Sequence, residues 1–183
     1  MKTLIVDNHT KNIDELKNLF KNSNVIKKEY FKKDLDVSEY DLVVFSGGSD
    51  VPTVLRHKDF YKDEIDFVKD IKKPVLGICL GFEIIAAAFG GRLFELDEEK
   101  RGVVDIKIKN EEIFEGKELN IKVYEAHTIG IKKAPDYFVE LARSEHGIEI
   151  MLNKKNKILA IQFHPEIKNN SELLGLLLEK ILS

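Results

Sequence analysis

The sequence has few of the features that would assign it to a specialised class of protein. Its 183 residues include one cysteine, Cys79, so no disulfide bond can form within the chain. No apolar run approaches the length of a membrane span. The 29 lysines and arginines are balanced by 32 aspartates and glutamates, so the chain lacks the basic character of nucleic-acid-binding proteins. We therefore expect neither nucleic acid nor a membrane as a partner.

Two further absences bear on organisation and location. No internal repeat, low-complexity tract or interdomain linker is visible, and 183 residues are too few for two ordinary domains. We therefore expect residues 1–183 to form one domain. The start Met1-Lys2-Thr3 leads directly into a strand-like run instead of a cleavable apolar signal. Together with the single cysteine, this predicts a cytoplasmic location.

The first half of the chain alternates short apolar runs with helical patterns. The predicted strands are Thr3–Val6, Val25–Phe31, Leu42–Phe45 and Val75–Ile78, and the predicted helices are Ile13–Phe20, Asp59–Ile71 and Phe82–Phe89. This alternation predicts an α/β fold with a doubly wound, mostly parallel sheet flanked by helices. In such a fold the ligand site lies at the carboxyl ends of the strands.

After Gly90 and Gly91 the pattern changes to short strand-like runs with turn residues between them. These runs are Arg92–Phe94, Val103–Ile108, Ile121–Tyr124, Tyr137–Ala142 and Ile148–Leu152. They predict a small antiparallel β portion in the second half. Ile158–Phe163 is predicted to return to the main sheet as a core strand, and Ser171–Leu182 is predicted to be a closing helix.

Cys79 lies between a predicted strand and a predicted helix. Gly77 precedes it by two residues and Gly81 follows it by two, which is the spacing of a nucleophile elbow. A thiol at this turn is close to a helix N-terminus, where backbone N–H groups and the helix dipole favour the thiolate. A lone cysteine in an apolar run is more often an inert core residue, so the elbow alone does not establish a catalytic role.

A histidine and a carboxylate stand two residues apart further along the chain, in Gln162-Phe163-His164-Pro165-Glu166. The order nucleophile, histidine, acid suits amide hydrolysis, because the histidine can take and return a proton while the acid orients it. The other histidines have no comparable context. With a single cysteine they offer no metal-ligand spacing, so no metal site is expected.

A third motif, the glycine turn Phe45-Ser46-Gly47-Gly48-Ser49, precedes these two. The three motifs occur in the order found in class I (triad) glutamine amidotransferases, and the chain resembles this family over nearly its whole length. Weaker support comes from Asp7-Asn8-His9, Glu112–Gly116, Tyr124–His127 and Leu141–Glu145. The resemblance implies that Cys79 attacks the side-chain amide of glutamine, that His164 moves the proton and that Glu166 supports His164.

The resemblance also implies which residues surround the substrate and which partner the protein has. The backbone N–H groups of Gly48 and Leu80 would form the oxyanion hole. Gly47 and His127 would lie close to the substrate, and no cofactor is needed. Within the family, the chain is most similar to the free-standing glutaminase subunit of archaeal-type GMP synthase. This likeness implies that the partner is a separate ATP-dependent synthase subunit and that xanthosine monophosphate is the ammonia acceptor.

One position departs from the common family pattern. Many amidotransferases carry Gly-His-Gln or Gly-Met-Gln after the elbow, and the Gln helps to hold the amino-acid end of glutamine, whereas this chain has Gly81-Phe82-Glu83. An ionised Glu83 accepts hydrogen bonds but cannot donate them, so it would favour the α-ammonium group of a substrate. Gly-Phe-Glu also occurs in γ-glutamyl hydrolases, which use the same triad. Three functions remain open: a glutaminase that feeds a synthase, a γ-glutamyl hydrolase or peptidase that acts alone, and a non-catalytic regulatory relative.

Overall fold

Short strands and helices alternate through the first half of the chain, as the apolar pattern predicts. The computed structural model describes residues 1–108, 119–167 and 170–182. In chain order, the elements of the first half are β1 (Thr3–Asp7), α1 (Ile13–Leu19), β2 (Ser23–Lys27), β3 (Leu42–Phe45), α2 (Lys62–Asp70), β4 (Val75–Ile78) and α3 (Leu80–Ala88). Among the described residues, no helix is both long and apolar enough to cross a bilayer.

The described part of the second half consists mainly of strands. Its elements are β5 (Leu93–Ile108), β6 (Leu119–Ile131), β7 (Val139–Ser144), β8 (Gly147–Asn153), β9 (Ile158–Ile161) and α4 (Ser171–Leu182). The strands of the described residues form one sheet in the order β2-β1-β3-β4-β9-β8-β7-β5-β6. The pairs from β2 to β9 are parallel and those from β9 to β6 are antiparallel. The predicted α/β fold, with an antiparallel portion in the second half, is confirmed.

Both faces of the parallel part are covered by helices. β3, β4 and β9 are uninterrupted apolar runs because every residue in them is buried. On one face Leu16 of α1 and Leu177 of α4 share a core with Val44, and on the other face Phe67 of α2 shares a core with Val43. Neighbouring residues of a strand point to opposite faces, so Val43 and Val44 belong to different cores. This is the doubly wound arrangement.

Some element boundaries differ from those predicted. The predicted strand Val25–Phe31 ends at Lys27, because Lys28–Tyr30 form a 3-10 turn. The predicted strands Arg92–Phe94 and Val103–Ile108 are two ends of the single strand β5, whose charged and mostly exposed middle shows no apolar pattern. The segment Glu112–Gly116, which supports the family resemblance, lies outside the described residues.

β6 is an edge strand that nevertheless covers the carboxyl ends of β4 and β9. In the sheet it lies four positions away from β9. The N–H of His164, just after β9, donates a hydrogen bond to the carbonyl oxygen of Tyr124 at 2.8 Å. The thiol of Cys79, just after β4, lies 3.7 Å from the carbonyl oxygen of Ala126. The hairpin of β5 and β6 is therefore folded back over the end of the sheet where a ligand is expected.

Candidate active site

Cys79 occupies a sharp turn between β4 and α3. Its φ angle is 51°, in the left-handed region that non-glycine residues rarely adopt, and Leu80 already belongs to the helix. A Cβ atom on Gly81 would lie 2.3 Å from the carbonyl oxygen of Phe45, and one on Gly77 would lie 2.5 Å from the carbonyl oxygen of Gly81. Both glycines are needed because the helix starts in direct contact with the strands. This local geometry is that of a nucleophile elbow.

His164 contacts both Cys79 and Glu166. Its Nδ1 atom lies 2.8 Å from Oε1 of Glu166, which leaves Nε2 for the thiol. Burial lowers the pKa of His164, but the negative charge of a Cys79 thiolate, its hydrogen bond to the ring and the Glu166 carboxylate outweigh burial and raise the pKa to about 10. The arrangement therefore favours the imidazolium form of His164, with Cys79 on one side of the ring and the carboxylate on the far side.

The glycine turn after β3 packs directly on this pair. A Cβ atom on Gly47 would lie 2.9 Å from Cε1 of His164, and one on Gly48 would lie 2.4 Å from a methyl group of Leu80. The turn is fixed by Ser46, whose Oγ accepts a hydrogen bond from the N–H of Asn8 at 2.9 Å and donates one to the carbonyl oxygen of Gly47 at 2.8 Å. In the part of the chain that the structure describes, the N–H groups of Gly48 and Leu80 have no backbone acceptor. They are available to a ligand.

A cleft of about 550 Å³ opens above these residues. It is lined by six of the eight site residues predicted from the sequence, namely Gly48, Cys79, Leu80, Glu83, His127 and His164. The other two, Gly47 and Glu166, lie behind this surface and pack against the ring of His164. The structure thus brings the predicted set together at the carboxyl end of the parallel sheet.

Several lining residues have no signal in the sequence. They are Lys11, Thr53, Glu99 and Arg101. Lys11 and Thr53 come from loops after β1 and β3, and the other two come from the exposed middle of β5. None of them belongs to a sequence motif. Each reaches the cleft only because segments that are distant in the sequence pack together.

Glu83 is buried in the first turn of α3, at the edge of the cleft. Burial raises the pKa of Glu83 to about 8, although the backbone N–H of Val54 stabilises the ionised form. Among the described residues, its Oε2 atom has no hydrogen-bond partner. The carboxyl is therefore mostly protonated at neutral pH and can donate as well as accept a hydrogen bond. This differs from the ionised form considered from the sequence.

His127 reaches the wall of the cleft, but both of its ring nitrogens face protein atoms. Nδ1 lies 2.8 Å from the carbonyl oxygen of Ile129, and Nε2 lies 3.5 Å from Oε2 of Glu125. Glu149 completes a buried group, and the potential ligand atoms of these three side chains lie within 4.8 Å of one another. They are the described residues that could hold a metal ion, and no local spacing signals them, since Glu149 is on another strand. The predicted contact of His127 with substrate stays a prediction.

Comparison with known proteins identifies the family. The sequence model named Glutamine amidotransferase class-I matches residues 4–180. The chain belongs to this family. A glutamine-hydrolysing GMP synthase subunit of Sulfolobus acidocaldarius is 34% identical over 139 residues, which are 75% of this chain and 73% of the relative. The corresponding subunit of Sulfurisphaera tokodaii is 33% identical over 138 residues, which are 74% of this chain and 72% of the relative.

Solved structures of this amidotransferase fold agree with the architecture. A protein from Thermoplasma acidophilum that is provisionally named for the same GMP synthase subunit matches with a TM-score of 0.83 and 25% identity, over 99% of this chain and 94% of the other. A glutamine amidotransferase from Thermotoga maritima matches with a TM-score of 0.72 over 99% and 90% of the two chains, and at 20% identity this likeness concerns the fold alone.

Proposed function

We propose that the chain is the glutaminase subunit of a two-subunit GMP synthase, and that Cys79, His164 and Glu166 hydrolyse the side-chain amide of glutamine. The observation that supports this best is the contact of His164 with both Cys79 and Glu166 beneath a cleft, in a member of the amidotransferase family. In this proposal residues 1–183 act as one domain.

The reaction has two halves. The Cys79 thiolate attacks the amide carbon of glutamine, and the N–H groups of Gly48 and Leu80 stabilise the charge that develops on the amide oxygen. The imidazolium of His164 gives its proton to the amide nitrogen as the carbon–nitrogen bond breaks, so that ammonia leaves and a γ-glutamyl thioester remains. Neutral His164 then takes a proton from water, which attacks the thioester, and the thiolate leaves. Glu166 holds Nδ1 of His164 throughout, so that Nε2 faces the reacting atoms.

Glu83 takes the place of the family Gln at the amino-acid end of the substrate. As a protonated carboxyl it can donate a hydrogen bond to the α-carboxylate of glutamine and accept one from the α-ammonium group. A neutral Glu83 thus reproduces the hydrogen-bonding capacity of an amide. Gly47 contributes by its lack of a side chain, because any Cβ atom there would collide with the ring of His164.

The ammonia acceptor lies on another subunit in this proposal. The similar proteins of Sulfolobus acidocaldarius and Sulfurisphaera tokodaii are subunits named for GMP synthase. Because those relatives are named as one subunit of the enzyme, we assign the ATP-dependent step to a separate synthase, with xanthosine monophosphate as the acceptor. The single cysteine is consistent with action in the cytoplasm.

A second candidate function is a γ-glutamyl hydrolase that acts without a partner. The Phe82-Glu83 pair after the elbow favours it, because that pair resembles the γ-glutamyl hydrolase motif. Both functions use the same chemistry at Cys79. They differ in the group that leaves, which is ammonia in one case and an amine of a peptide in the other.

One assay distinguishes the two functions. Release of glutamate is measured from glutamine and, in parallel, from a γ-glutamyl dipeptide, with Cys79→Ala as the control and no partner protein. We expect slow, cysteine-dependent turnover of glutamine and little turnover of the dipeptide. Faster turnover of the dipeptide than of glutamine would support the hydrolase. Equal rates for the wild type and Cys79→Ala on both substrates, with the synthase also added, would contradict both enzymes.

A further inference from the structure

Three buried side chains beside the active-site cleft face one another with several polar atoms unpartnered. They are Glu125 and His127 of β6 and Glu149 of β8, and one potential ligand atom of each lies within 4.8 Å of the other two. Among the described residues, both carboxyl oxygens of Glu125, Nε2 of His127 and Oε2 of Glu149 have no hydrogen-bond partner. The relative exposure is 0% for both glutamates and 4% for the histidine, so bulk water does not satisfy these atoms.

The backbone fixes the tautomer of neutral His127. Nδ1 lies 2.8 Å from the carbonyl oxygen of Ile129, and because a carbonyl group only accepts, Nδ1 carries the proton. Nε2 of the neutral ring therefore presents a lone pair, 3.5 Å from Oε2 of Glu125. Two acceptors that face each other at this distance repel unless a cation lies between them. A ring N–H bonded to a carbonyl group is also the usual outer contact of a histidine that binds a metal ion.

Glu149 is oriented in a comparable way. Its Oε1 atom accepts a hydrogen bond of 2.8 Å from the hydroxyl of Ser144, which leaves Oε2 for the cluster. The hydroxyl oxygen in turn accepts one of 2.9 Å from the N–H of His146, so the donor itself is held in place. Carboxylates that bind metal ions are commonly hydrogen-bonded by neighbouring groups in this manner. Glu149 and His127 thus each keep one free atom directed into the cluster.

The cluster contains more negative charge than the surrounding protein balances. Within the described ranges, Glu125 forms ion pairs only with His127 and His146, and Glu149 forms none. Nε2 of His146 lies 3.9 Å from Glu125 and 3.6 Å from the exposed Glu145, so two carboxylates share this ring. Buried carboxylates are normally paired with a cation or bound to a metal ion. One divalent cation would balance both buried charges.

The donor atoms indicate which kind of cation fits. One imidazole nitrogen and two carboxylates suit Zn²⁺ or a similar first-row transition metal, whereas Mg²⁺ and Ca²⁺ prefer sites made of oxygen alone. Bonds of about 2.1 Å in a tetrahedron place neighbouring ligand atoms about 3.4 Å apart. The distance of 3.5 Å between Nε2 of His127 and Oε2 of Glu125 agrees with this value. Three protein ligands leave the fourth position of a tetrahedral Zn²⁺ to water.

We propose that Glu125, His127 and Glu149 bind one Zn²⁺ or a similar divalent transition-metal ion with a structural role. The sequence alone predicts no metal site, because Glu149 is on a different strand from the other two ligands. No step of the proposed amide hydrolysis uses the ion. The inference therefore stands apart from the proposed function.

The ion would connect β6 to the interior of the sheet. In the described sheet β6 pairs only with β5. The residues on either side of Glu125 contact the candidate catalytic pair, since the carbonyl oxygen of Tyr124 accepts a hydrogen bond from the N–H of His164 and that of Ala126 lies 3.7 Å from the thiol of Cys79. A metal ion shared by β6 and β8 thus stabilises this wall of the cleft.

Metal binding is best measured in Cys79→Ser, because the thiolate beside His164 is itself a potential zinc ligand. Untagged protein is produced with added Zn²⁺, since a buried site is filled as the chain folds, and the metal kept after desalting is counted by mass spectrometry of the elements. We expect one equivalent of transition metal per chain and no retained Mg²⁺. Folded Cys79→Ser protein that keeps no transition metal would overturn the proposal.

Further variants in the Cys79→Ser background locate the ion. Glu149→Gln and His127→Gln each remove one ligand and should lose the bound metal. Ser144→Ala removes only the hydroxyl that orients Glu149, so the affinity for Zn²⁺ should fall by about 10- to 100-fold, as measured by competition with a chelator. One equivalent of metal in both ligand variants would place the ion elsewhere and overturn the site.

A matched control is available on α2. Glu64 is also a buried carboxyl, but it pairs with Lys28 at 2.9 Å and lies outside the cluster. We expect Glu64→Gln in the same background to keep one equivalent of metal. Loss of the metal in Glu64→Gln equal to the loss in Glu149→Gln would contradict the site, because removal of any buried carboxyl would then have the same effect.

Thermal unfolding gives a second readout that does not depend on metal counting. In Cys79→Ser freed of metal by a chelator, Zn²⁺ at roughly 100 times its Kd should raise the Tm by about 5–10 °C. Ser144→Ala should need more Zn²⁺ for the same rise. An unchanged Tm in Cys79→Ser at saturating Zn²⁺ would overturn the proposal. Because this background lacks the candidate nucleophile, neither readout changes if the proposed function fails.

Discussion

Two buried clusters combine histidine with glutamate, and they differ in what the second ring nitrogen faces. In His164 one nitrogen is bonded to Glu166 and the other is left for Cys79 beneath an open cleft. In His127 one nitrogen is bonded to a carbonyl group and the other faces Glu125. The same residue types thus supply a candidate proton shuttle in one cluster and a structural contact in the other. A histidine beside a carboxylate becomes catalytic when its free nitrogen meets a nucleophile and space for a substrate.

The two clusters also differ in charge. Around His164, contacts with Cys79 and Glu166 on two sides of the ring outweigh burial, so the pKa of the ring is raised. In the other cluster, Glu125 and Glu149 face each other, and burial with like charge raises the pKa of Glu149. The first cluster holds its proton on a base that can deliver it to a leaving group.

The largest effect is expected at Cys79, the proposed nucleophile. Cys79→Ser should lower glutamine hydrolysis on the order of 10⁴-fold or more, because the hydroxyl is a much weaker nucleophile than the thiolate. The folded state should change little, since the two side chains are similar in size. Steady-state ammonia release measures the loss, and circular dichroism checks the fold. Activity of Cys79→Ser within tenfold of the wild type would show that Cys79 is not the nucleophile.

Replacement of the two histidines tests the comparison directly. His164→Asn should lower kcat by about 10²- to 10⁴-fold, which is the usual contribution of a positioned acid or base. His127→Asn should lower kcat by a smaller factor, because it loosens the wall of the site without removing a proton carrier. Labelling of Cys79 by iodoacetamide at neutral pH should slow much more in His164→Asn. Equal losses in both variants would contradict the distinct roles of the two clusters.

Glu166→Gln tests the raised pKa of His164. The carboxylate is one of the groups that raise this pKa, so its loss should lower the pKa and deprotonate the ring at a lower pH. The alkaline limb of the kcat profile should therefore move toward neutral pH, with a loss of about tenfold or more in kcat. The pH dependence of ammonia release measures both effects. An unchanged alkaline limb would show that Glu166 does not stabilise the imidazolium.

The smallest effect is expected at Glu83, where only the protonation state of a proposed substrate contact changes. Below a pH of about 8 the wild-type carboxyl is neutral, and above it the charge should weaken binding of the substrate α-carboxylate. The KM for glutamine should therefore rise at alkaline pH in the wild type. Glu83→Gln should show a flat KM across this range, with a change of only a few-fold at neutral pH. The same alkaline rise in the variant would assign the effect to another group.

The sequence predicts the candidate catalytic cluster of Cys79, His164 and Glu166 better than the buried cluster of Glu125, His127 and Glu149. Each of its two motifs lies within one short segment, Cys79 with its flanking glycines and His164 with Glu166. Both can therefore be recognised from the spacing of neighbouring residues. Strands β3 and β4 and helix α4 also match their predicted bounds, since continuous apolar runs and a clear helical face are local signals. Glu125 and Glu149 meet only because an edge hairpin folds back over the sheet. No periodicity in the sequence encodes that contact, and the protonation of Glu83 likewise depends on burial by distant segments.

The most direct measurement is the mass of the protein during turnover. Wild-type protein is mixed with glutamine, quenched in acid and digested, and the mass of the peptide that contains Cys79 is measured by mass spectrometry. The variants Cys79→Ser and His164→Asn are treated in parallel. If Cys79 is the nucleophile, the wild-type peptide gains one γ-glutamyl group and the Cys79→Ser peptide gains no thioester. Hydrolysis of glutamine by the wild type with no adduct on Cys79, including after rapid quenching and with a diazo ketone analogue of glutamine as a trap, would contradict a thioester mechanism.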